Sequence, residues 1–171
     1  SIVDANRDKN YFNYKEDNTW VSLSGSQIST LVNEISAALL YLDCSKQDKI
    51  SIMSATSYKW ALCDYGILCS GMTTTTIYPT LIADQIEFIL NNSESKLIFV
   101  QNKEQYERIS EFYEKCVKLK YIVILDNSKP LESNEKILNF NDFLQLGKKY
   151  ITENSFDVRN LLSDIKSDDL V

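Results

Sequence analysis

Residues 49–79 have the pattern of a strand, a helix and a second strand in direct succession. Residues 50–55 form a short uncharged run, and residues 73–78 are rich in β-branched threonine and stop at Pro79; both runs are typical of buried strands. Between them, residues 57–70 carry apolar side chains at helical spacing, with Thr56 placed to cap the helix and Gly71 to end it. This segment predicts a βαβ crossover and an α/β fold.

Two further patterns precede this unit. Residues 11–14 and 19–22 are aromatic and β-branched, and the polar residues 15–18 between them predict a β-hairpin over 11–22 with a four-residue loop. Ser24 and Gln27 fit a capping box, and apolar residues then recur at helical spacing from Ile28 to Leu42. A long amphipathic helix is therefore expected after the hairpin.

The alternation of helices and strands continues to residue 126. A helix capped by Thr80 is predicted to place one apolar face inward, namely Ile82, Ile86, Ile89 and Leu90. Strands are predicted at 96–100 and 121–125, joined by a helix over 103–120 whose inward stripe is Tyr106, Ile109, Tyr113, Cys116 and Val117. Strands joined in this way are normally parallel, so residues 24–126 predict a Rossmann-like sheet of about four strands with helices on both faces.

The remaining residues, 127–171, are less regular. Residues 126–130 have the composition of a loop. A short helix is predicted within 139–150, with Phe140, Phe143, Leu144 and Leu146 facing inward, and Leu170 with Val171 has the pattern of a strand that is about to begin. No internal repeat or low-complexity linker divides the 171 residues, so they are treated as one unit whose strand order is left open.

Composition excludes several classes of function. The formal net charge is -6 with no basic cluster, which argues against a nucleic-acid partner. No apolar stretch approaches the length of a membrane span and no signal peptide opens the chain, so a cytoplasmic location is expected. Histidine is absent, which removes Ser-His and Cys-His nucleophilic pairs, and the four cysteines lie at no metal-ligand spacing and are expected to be free thiols.

In a parallel α/β sheet the ligand site lies beyond the carboxyl ends of the strands. The loop of Tyr78, Pro79 and Thr80 is the candidate, because it follows a central strand and Pro79 fixes its exit. The alternative is that Pro79 only ends the strand and Thr80 only caps the next helix. With four glycines in the chain, neither a dinucleotide-binding nor a P-loop glycine motif is present. No catalytic, cofactor-binding or metal-ligating residue is therefore assigned.

Several short segments follow one another in a definite order. They are Asp48-Lys49-Ile50, Ser57 to Trp60, Ser70-Gly71 leading to Tyr78-Pro79-Thr80, the sequence FILNNS at 88–93, and KLIFV at 96–100. This series resembles the N-terminal part of the AMP-binding domain of adenylate-forming enzymes, and its Tyr-Pro-Thr segment resembles the long-chain acyl-CoA synthetases among them. Residues 167–171 are similar to the aspartate-bearing turn that precedes the phosphate loop of that family.

The resemblance implies an enzyme that activates a long-chain fatty acid with ATP and Mg²⁺ to an acyl-adenylate and then transfers the acyl group to CoA. It also implies that the family's functional residues lie beyond Val171. The 171 residues are then expected to act as scaffold, inactive alone and without ATP, Mg²⁺ or CoA contacts, with the rest of the same chain as partner. Homodimerisation and peripheral membrane attachment are left open. The alternative is a stand-alone, non-catalytic α/β binding or oligomerisation module.

Overall fold

A β-hairpin and a long helix open the described part of the chain, which comprises residues 8–16, 18–126, 134–166 and 168–169 of a computed structural model. The hairpin strands are β1 (Asn10–Glu16) and β2 (Thr19–Ser24), and α1 (Gly25–Tyr41) follows at once. The hairpin prediction is confirmed, but the predicted four-residue loop is wrong, because Glu16 belongs to β1 and pairs with Thr19. The capping box is present: the Ser24 hydroxyl accepts from the Gln27 N–H, and the Gln27 side chain accepts from the Ser24 N–H.

Strands and helices then alternate as far as residue 124, and a further strand and helix lie within residues 134–166. In order they are β3 (Lys49–Met53), α2 (Tyr58–Cys69), β4 (Thr73–Thr76), α3 (Ala83–Ser93), β5 (Leu97–Val100), α4 (Lys103–Ser110), β6 (Tyr121–Ile124), β7 (Ile137–Asn139) and α5 (Phe140–Asn154). Short 3₁₀ turns occupy Tyr113–Lys115, Val158–Asn160 and Leu162–Asp164.

The sheet has the strand order β4-β3-β5-β6-β7, and every neighbouring pair is parallel. The four predicted parallel strands are confirmed, and among the described residues β7 is a fifth strand that was not predicted. Because β4 pairs on one side of β3 and β5 pairs on the other, the winding direction reverses between β3 and β5. Ligands of doubly wound sheets bind at this reversal, outside the carboxyl ends of the strands.

Helices cover both faces of the sheet, as predicted. On β5, Leu97 and Phe99 belong to one apolar cluster, with α1, α2 and α5, whereas Ile98 and Val100 belong to a second cluster, with α3 and α4. All four side chains are fully buried. A strand enclosed on both faces needs apolar residues at every position, which explains why the strand sequences show no alternation.

The helix predicted within 139–150 is also confirmed, as the N-terminal part of α5. Phe140, Phe143 and Leu144 are buried, and Leu146 packs against the same cluster at its edge. Phe143 meets Phe99 edge to face, with 5.3 Å between the ring centroids. The α5 helix therefore closes the α1–α2 side of the sheet.

The predicted helix over 103–120 is wrong beyond Ser110. The chain there leaves the α-helical path, and Phe112 and Leu119 fill the core while Val117 is 86% exposed. An apolar spacing of three to four residues fits a helix, but it fits a chain of tight turns over the same core equally well. The predicted inward position of Val117 is therefore incorrect.

Two helix starts also differ from the prediction. The side chain that caps α2 is Ser57 rather than Thr56, and its hydroxyl accepts from the Trp60 N–H. The N-cap position of α3 is Ile82 rather than Thr80, and Ile82 is 63% exposed instead of facing inward. The predicted loop at 127–130 and the predicted strand start at residues 170–171 lie outside the described residues.

Candidate functional site

The predicted site residues lie where the chain leaves β4. Ile77 is still held to the sheet, since its N–H donates to the Ile52 carbonyl oxygen at 2.9 Å, and its side chain is buried. Tyr78 is 77% exposed, and the Leu81 N–H closes a turn by donating to the Tyr78 carbonyl oxygen. The loop of Tyr78, Pro79 and Thr80 is thus at the ligand end of the sheet, but it follows an edge strand of the described sheet rather than the predicted central strand. Thr80 does not cap α3.

These three residues form one wall of a cavity of about 420 Å³. Residues 54–56 after β3 and Trp60 of α2 form the opposite side. Trp60 is partly buried and packs against the α1–α2 core while also lining the cavity. The walls therefore combine aromatic surface with the hydroxyl groups of Thr56 and Thr80, a lining that suits a ligand with both apolar and hydrogen-bonding parts.

Arg108 of α4 holds the loop in place. It lies on the α3–α4 face of the sheet, opposite the face that α2 and Trp60 cover. Its Nη1 donates to the Pro79 carbonyl oxygen at 2.8 Å, and its Nη2 donates to the Leu81 carbonyl oxygen. This residue was not predicted, because its partners lie 27 and 29 positions away and are backbone atoms. A single arginine inside an otherwise ordinary amphipathic helix gives no sequence signal of such a contact.

A second cavity of about 260 Å³ lies at the carboxyl ends of β3, β5 and β6, beside the reversal point of the sheet. Its place fits the rule that ligand sites lie beyond the carboxyl ends of parallel strands. The wall formed by Tyr14 of the hairpin was not predicted; Tyr14 stacks on Tyr58 with 3.8 Å between ring centroids. Lys59 also lines it and donates to the Leu125 carbonyl oxygen at 2.6 Å. Burial lowers the pKa of Lys59, and the nearby charges of Asp126 and Glu16 oppose that shift.

The described residues at these strand ends do not form a cradle for a triphosphate. Lys59, which lines the smaller cavity, and Arg108, which holds the loop, already donate to backbone carbonyls. Lys15 also lines the smaller cavity, and its Nζ lies over the Trp20 ring. Gly71, whose φ of +69° requires glycine-like freedom, lies before β4, at the opposite end of that strand from the cavity. In the part of the chain that the structure describes, no cluster of His, Cys, Asp and Glu could hold a metal ion.

Cysteine chemistry is also unfavourable at these sites. Cys44, Cys63 and Cys116 are buried free thiols and Cys69 is a partly buried one, as the spacing predicted. Burial raises the pKa of Cys44 to about 12 and also raises the pKa of Cys63, so neither thiol ionises readily near neutral pH.

Over residues 8–16, 18–126, 134–166 and 168–169, no helix is long and apolar enough to cross a bilayer.

The parallel sheet and its reversal point define a doubly wound α/β domain, with two cavities at its carboxyl edge. Residues 3–169 match the family described as AMP-binding enzyme. The chain belongs to this family.

Curated relatives are similar over most of this chain. The long-chain-fatty-acid--CoA ligase FadD15 of Mycobacterium tuberculosis is 26% identical over 125 residues, covering 72% of this chain and 21% of that protein. Fatty acyl-CoA synthetase A of Dictyostelium discoideum is 27% identical over 161 residues, covering 86% of this chain and 24% of that protein. The human long-chain-fatty-acid--CoA ligase ACSBG2 is 21% identical over 135 residues, covering 78% and 20%. The chain thus spans between a fifth and a quarter of the length of these relatives.

Solved structures share the fold. The anthranilate CoA ligase AuaEII, in complex with anthranoyl-AMP, aligns with a TM-score of 0.72 and 20% identity, over 82% of this chain and 26% of that one. The coronafacic acid ligase of Pectobacterium brasiliense aligns with a TM-score of 0.65 and 18% identity, over 73% of this chain and 25% of that one. In both, the matched region is a fraction of a larger ligase.

Proposed function

We propose that this chain is the N-terminal part of the AMP-binding domain of a long-chain fatty acid CoA ligase. The observation that carries the proposal is the family match over residues 3–169, together with relatives named as long-chain-fatty-acid or fatty acyl-CoA ligases. The whole protein would use ATP to convert a fatty acid carboxylate to an acyl-adenylate with release of pyrophosphate, and CoA would then displace AMP to give the thioester.

Within that enzyme the described residues build and hold one side of the ligand region. The sheet fixes the exits of β3 and β4, and the helices behind it fix the loops that line the two cavities. In-line attack on the α-phosphate needs preorganised donors and positive charge around the phosphates. We assign those groups, and the Mg²⁺ that accompanies ATP, to the rest of the protein, because Lys59 and Arg108 are engaged with backbone carbonyls.

The partners follow from this assignment. The first is the remainder of the same polypeptide, which would supply the phosphate loop and the mobile C-terminal part, and the second is the fatty acid. We propose a cytoplasmic enzyme without a nucleic-acid partner; homodimerisation and peripheral attachment to membranes are further proposals. Size-exclusion chromatography with light scattering and flotation with phospholipid vesicles would decide these two.

The decisive experiment is an assay of the full-length gene product. We expect exchange of labelled pyrophosphate into ATP that depends on a long-chain fatty acid, and thioester formation on addition of CoA. Palmitate, a medium-chain acid and anthranilate form a matched substrate series. Activity with anthranilate alone would contradict the long-chain assignment, and a protein active with none of them would favour a non-catalytic module.

The 171-residue chain tests the scaffold half of the proposal by itself. Calorimetric titration with ATP and Mg²⁺ is expected to give no heat of binding, because the described residues offer no cradle of amide donors for the phosphates. An intact fold must be verified first, by near-ultraviolet circular dichroism. Micromolar binding of ATP to this folded chain would contradict the assignment of the phosphate contacts to other parts of the enzyme.

A further inference from the structure

The two hydrogen bonds from Arg108 fix the orientation of the peptide groups around Thr80. The Pro79 carbonyl points toward Arg108, and the Pro79–Thr80 peptide bond is trans, as are all peptide bonds of the described residues. In a trans peptide the N–H points opposite to the carbonyl. The Thr80 N–H therefore points away from Arg108 and from the α3–α4 layer.

That direction leads toward the cavity. Arg108 lies on α4, on one face of the sheet, whereas Trp60 belongs to α2 and packs against the cluster on the opposite face. Thr80 and Trp60 line the same cavity. Within the described residues, neither the N–H nor the hydroxyl of Thr80 has a hydrogen-bond partner. Two donors of the exposed residue Thr80 thus lie at a cavity whose opposite side includes the Trp60 ring.

The peptide group between Leu81 and Ile82 differs from the one between Pro79 and Thr80. The Leu81 carbonyl also accepts from Arg108, but the Ile82 N–H that points away is used locally, since it donates to Gln85 Oε1 at 3.4 Å. Arginine suits this task because its planar guanidinium presents two donors in a fixed geometry, which a lysine does not. The arginine thus orients both peptides, and Thr80 is the one left with an available donor.

We infer that Thr80 binds an acceptor oxygen of a ligand in this cavity through its N–H and hydroxyl, and that Arg108 is the positioning residue for this contact. The inference rests on the proposed function, which supplies three ligands with such oxygens: the phosphates of ATP, the phosphates of CoA and the carboxylate of the fatty acid. A contact between Thr80 and ATP would be additional to the phosphate contacts that the proposed function assigns to the rest of the protein. Arg108 does not touch the ligand. It acts by holding the loop so that the Thr80 donors face the cavity.

The test compares Arg108→Gln, Arg108→Lys and Thr80→Val in the full-length protein, with Arg159→Gln as control. Arg159 also donates to an oxygen partner, the Asp157 carboxylate, but lies on a different cavity remote from Thr80. Dissociation constants are measured separately for ATP with Mg²⁺, CoA and a long-chain fatty acid. Hydrogen exchange is followed in peptides that cover residues 76–84.

We expect Arg108→Gln to weaken one of the three ligands about tenfold, the effect of losing roughly one hydrogen bond, and to leave the other two within about twofold. Thr80→Val should weaken the same ligand, and Arg108→Lys should fall between wild type and Arg108→Gln. Exchange at residues 76–84 should accelerate in Arg108→Gln and stay unchanged in Arg159→Gln. The identity of the weakened ligand shows which acceptor oxygen Thr80 binds.

Three results overturn the inference. Unchanged exchange in Arg108→Gln shows that the arginine does not hold the loop. Faster exchange with wild-type affinities for all ligands shows that the loop does not bind them, and equal weakening of all three with a lowered Tm shows a structural role alone. If the wild-type protein binds none of the three, the proposed function has failed, and the exchange measurement still decides whether Arg108 positions the loop.

Discussion

Asp48 and Lys96 form an ion pair across the amino ends of β3 and β5, with 3.0 Å between Oδ2 and Nζ. Asp48 also accepts from the Ser45 N–H at 2.8 Å and from the Ser45 hydroxyl, and Lys96 donates to the Asp43 carbonyl oxygen. Both charged residues belong to segments that resemble the family. Their structural role is to fix the start of two neighbouring parallel strands, at the edge opposite the ligand cavities.

Replacing Lys96 by Met should destabilise the protein by about 2 kcal/mol, because the partly buried Asp48 carboxylate loses its counter-ion and a charge-assisted hydrogen bond. Lys103→Met is the matched control, since Lys103 pairs with Glu107 at 3.7 Å with both side chains exposed; it should change stability by less than about 0.5 kcal/mol. Urea unfolding measures both. Equal changes in the free energy of unfolding would show that the Asp48–Lys96 pair stabilises the protein no more than an exposed ion pair does.

The same pair predicts a dependence of stability on pH. Burial acts to raise the pKa of Asp48, but the Ser45 and Lys96 hydrogen bonds outweigh it and hold the pKa below its ordinary value. A depressed pKa in the folded state gives stability that is present above the ordinary aspartate pKa and is lost as pH falls through the folded value. Asp48→Asn should therefore lose less stability than wild type between about pH 6 and about pH 3. Equal losses of stability in the two proteins over this pH range would refute the prediction.

A close approach of two helices gives a third prediction. A Cβ atom added at Gly147 of α5 would lie 2.0 Å from the Glu34 carbonyl oxygen of α1, so the helix backbones would have to separate. Alanine is the better helix former by about 1 kcal/mol, yet we expect Gly147→Ala to cost about 3 kcal/mol. The comparison is Gly66→Ala, where the nearest atom is the Ile35 side-chain Cγ2 at 2.4 Å.

We expect Gly66→Ala to cost less than Gly147→Ala, because a methyl group can move more easily than a backbone carbonyl. Both free energies of unfolding are obtained from urea titrations. A stabilised Gly147→Ala protein would show that helix propensity dominates and that α1 and α5 separate freely.

Local patterns were sufficient to predict most of this fold. The capping box at Ser24, the βαβ unit and the four longer strands all depend on residues that lie close together in sequence, so periodicity and capping chemistry identify them. The β7 strand was missed because it has only three residues inside a polar stretch, and its pairing with β6 supplies what the local sequence lacks. Propensity cannot identify such a strand.

The candidate site was predictable only in its location. Ligands lie at the carboxyl ends of parallel strands, and this rule predicts a site at Tyr78, Pro79 and Thr80. The contact from Arg108 and the wall formed by Tyr14 depend on which elements meet in three dimensions, and no spacing in the sequence encodes those meetings. The strand order, which decides where the sheet reverses, likewise came from the structure.

The region after α4 provides a fourth prediction, since there the sequence pattern and the structure disagree. Phe112 is 4% exposed and Val117 is 86% exposed, although a continuous helix would have turned Val117 inward. Phe112→Ala should cost about 3 to 5 kcal/mol through lost burial and a cavity, and Val117→Asp should change stability by less than about 0.5 kcal/mol. Urea denaturation of the two variants measures both changes in stability, and so distinguishes the observed turns from a continuous helix. A large loss for Val117→Asp would mean that residues 111–117 continue the helix and bury that side chain.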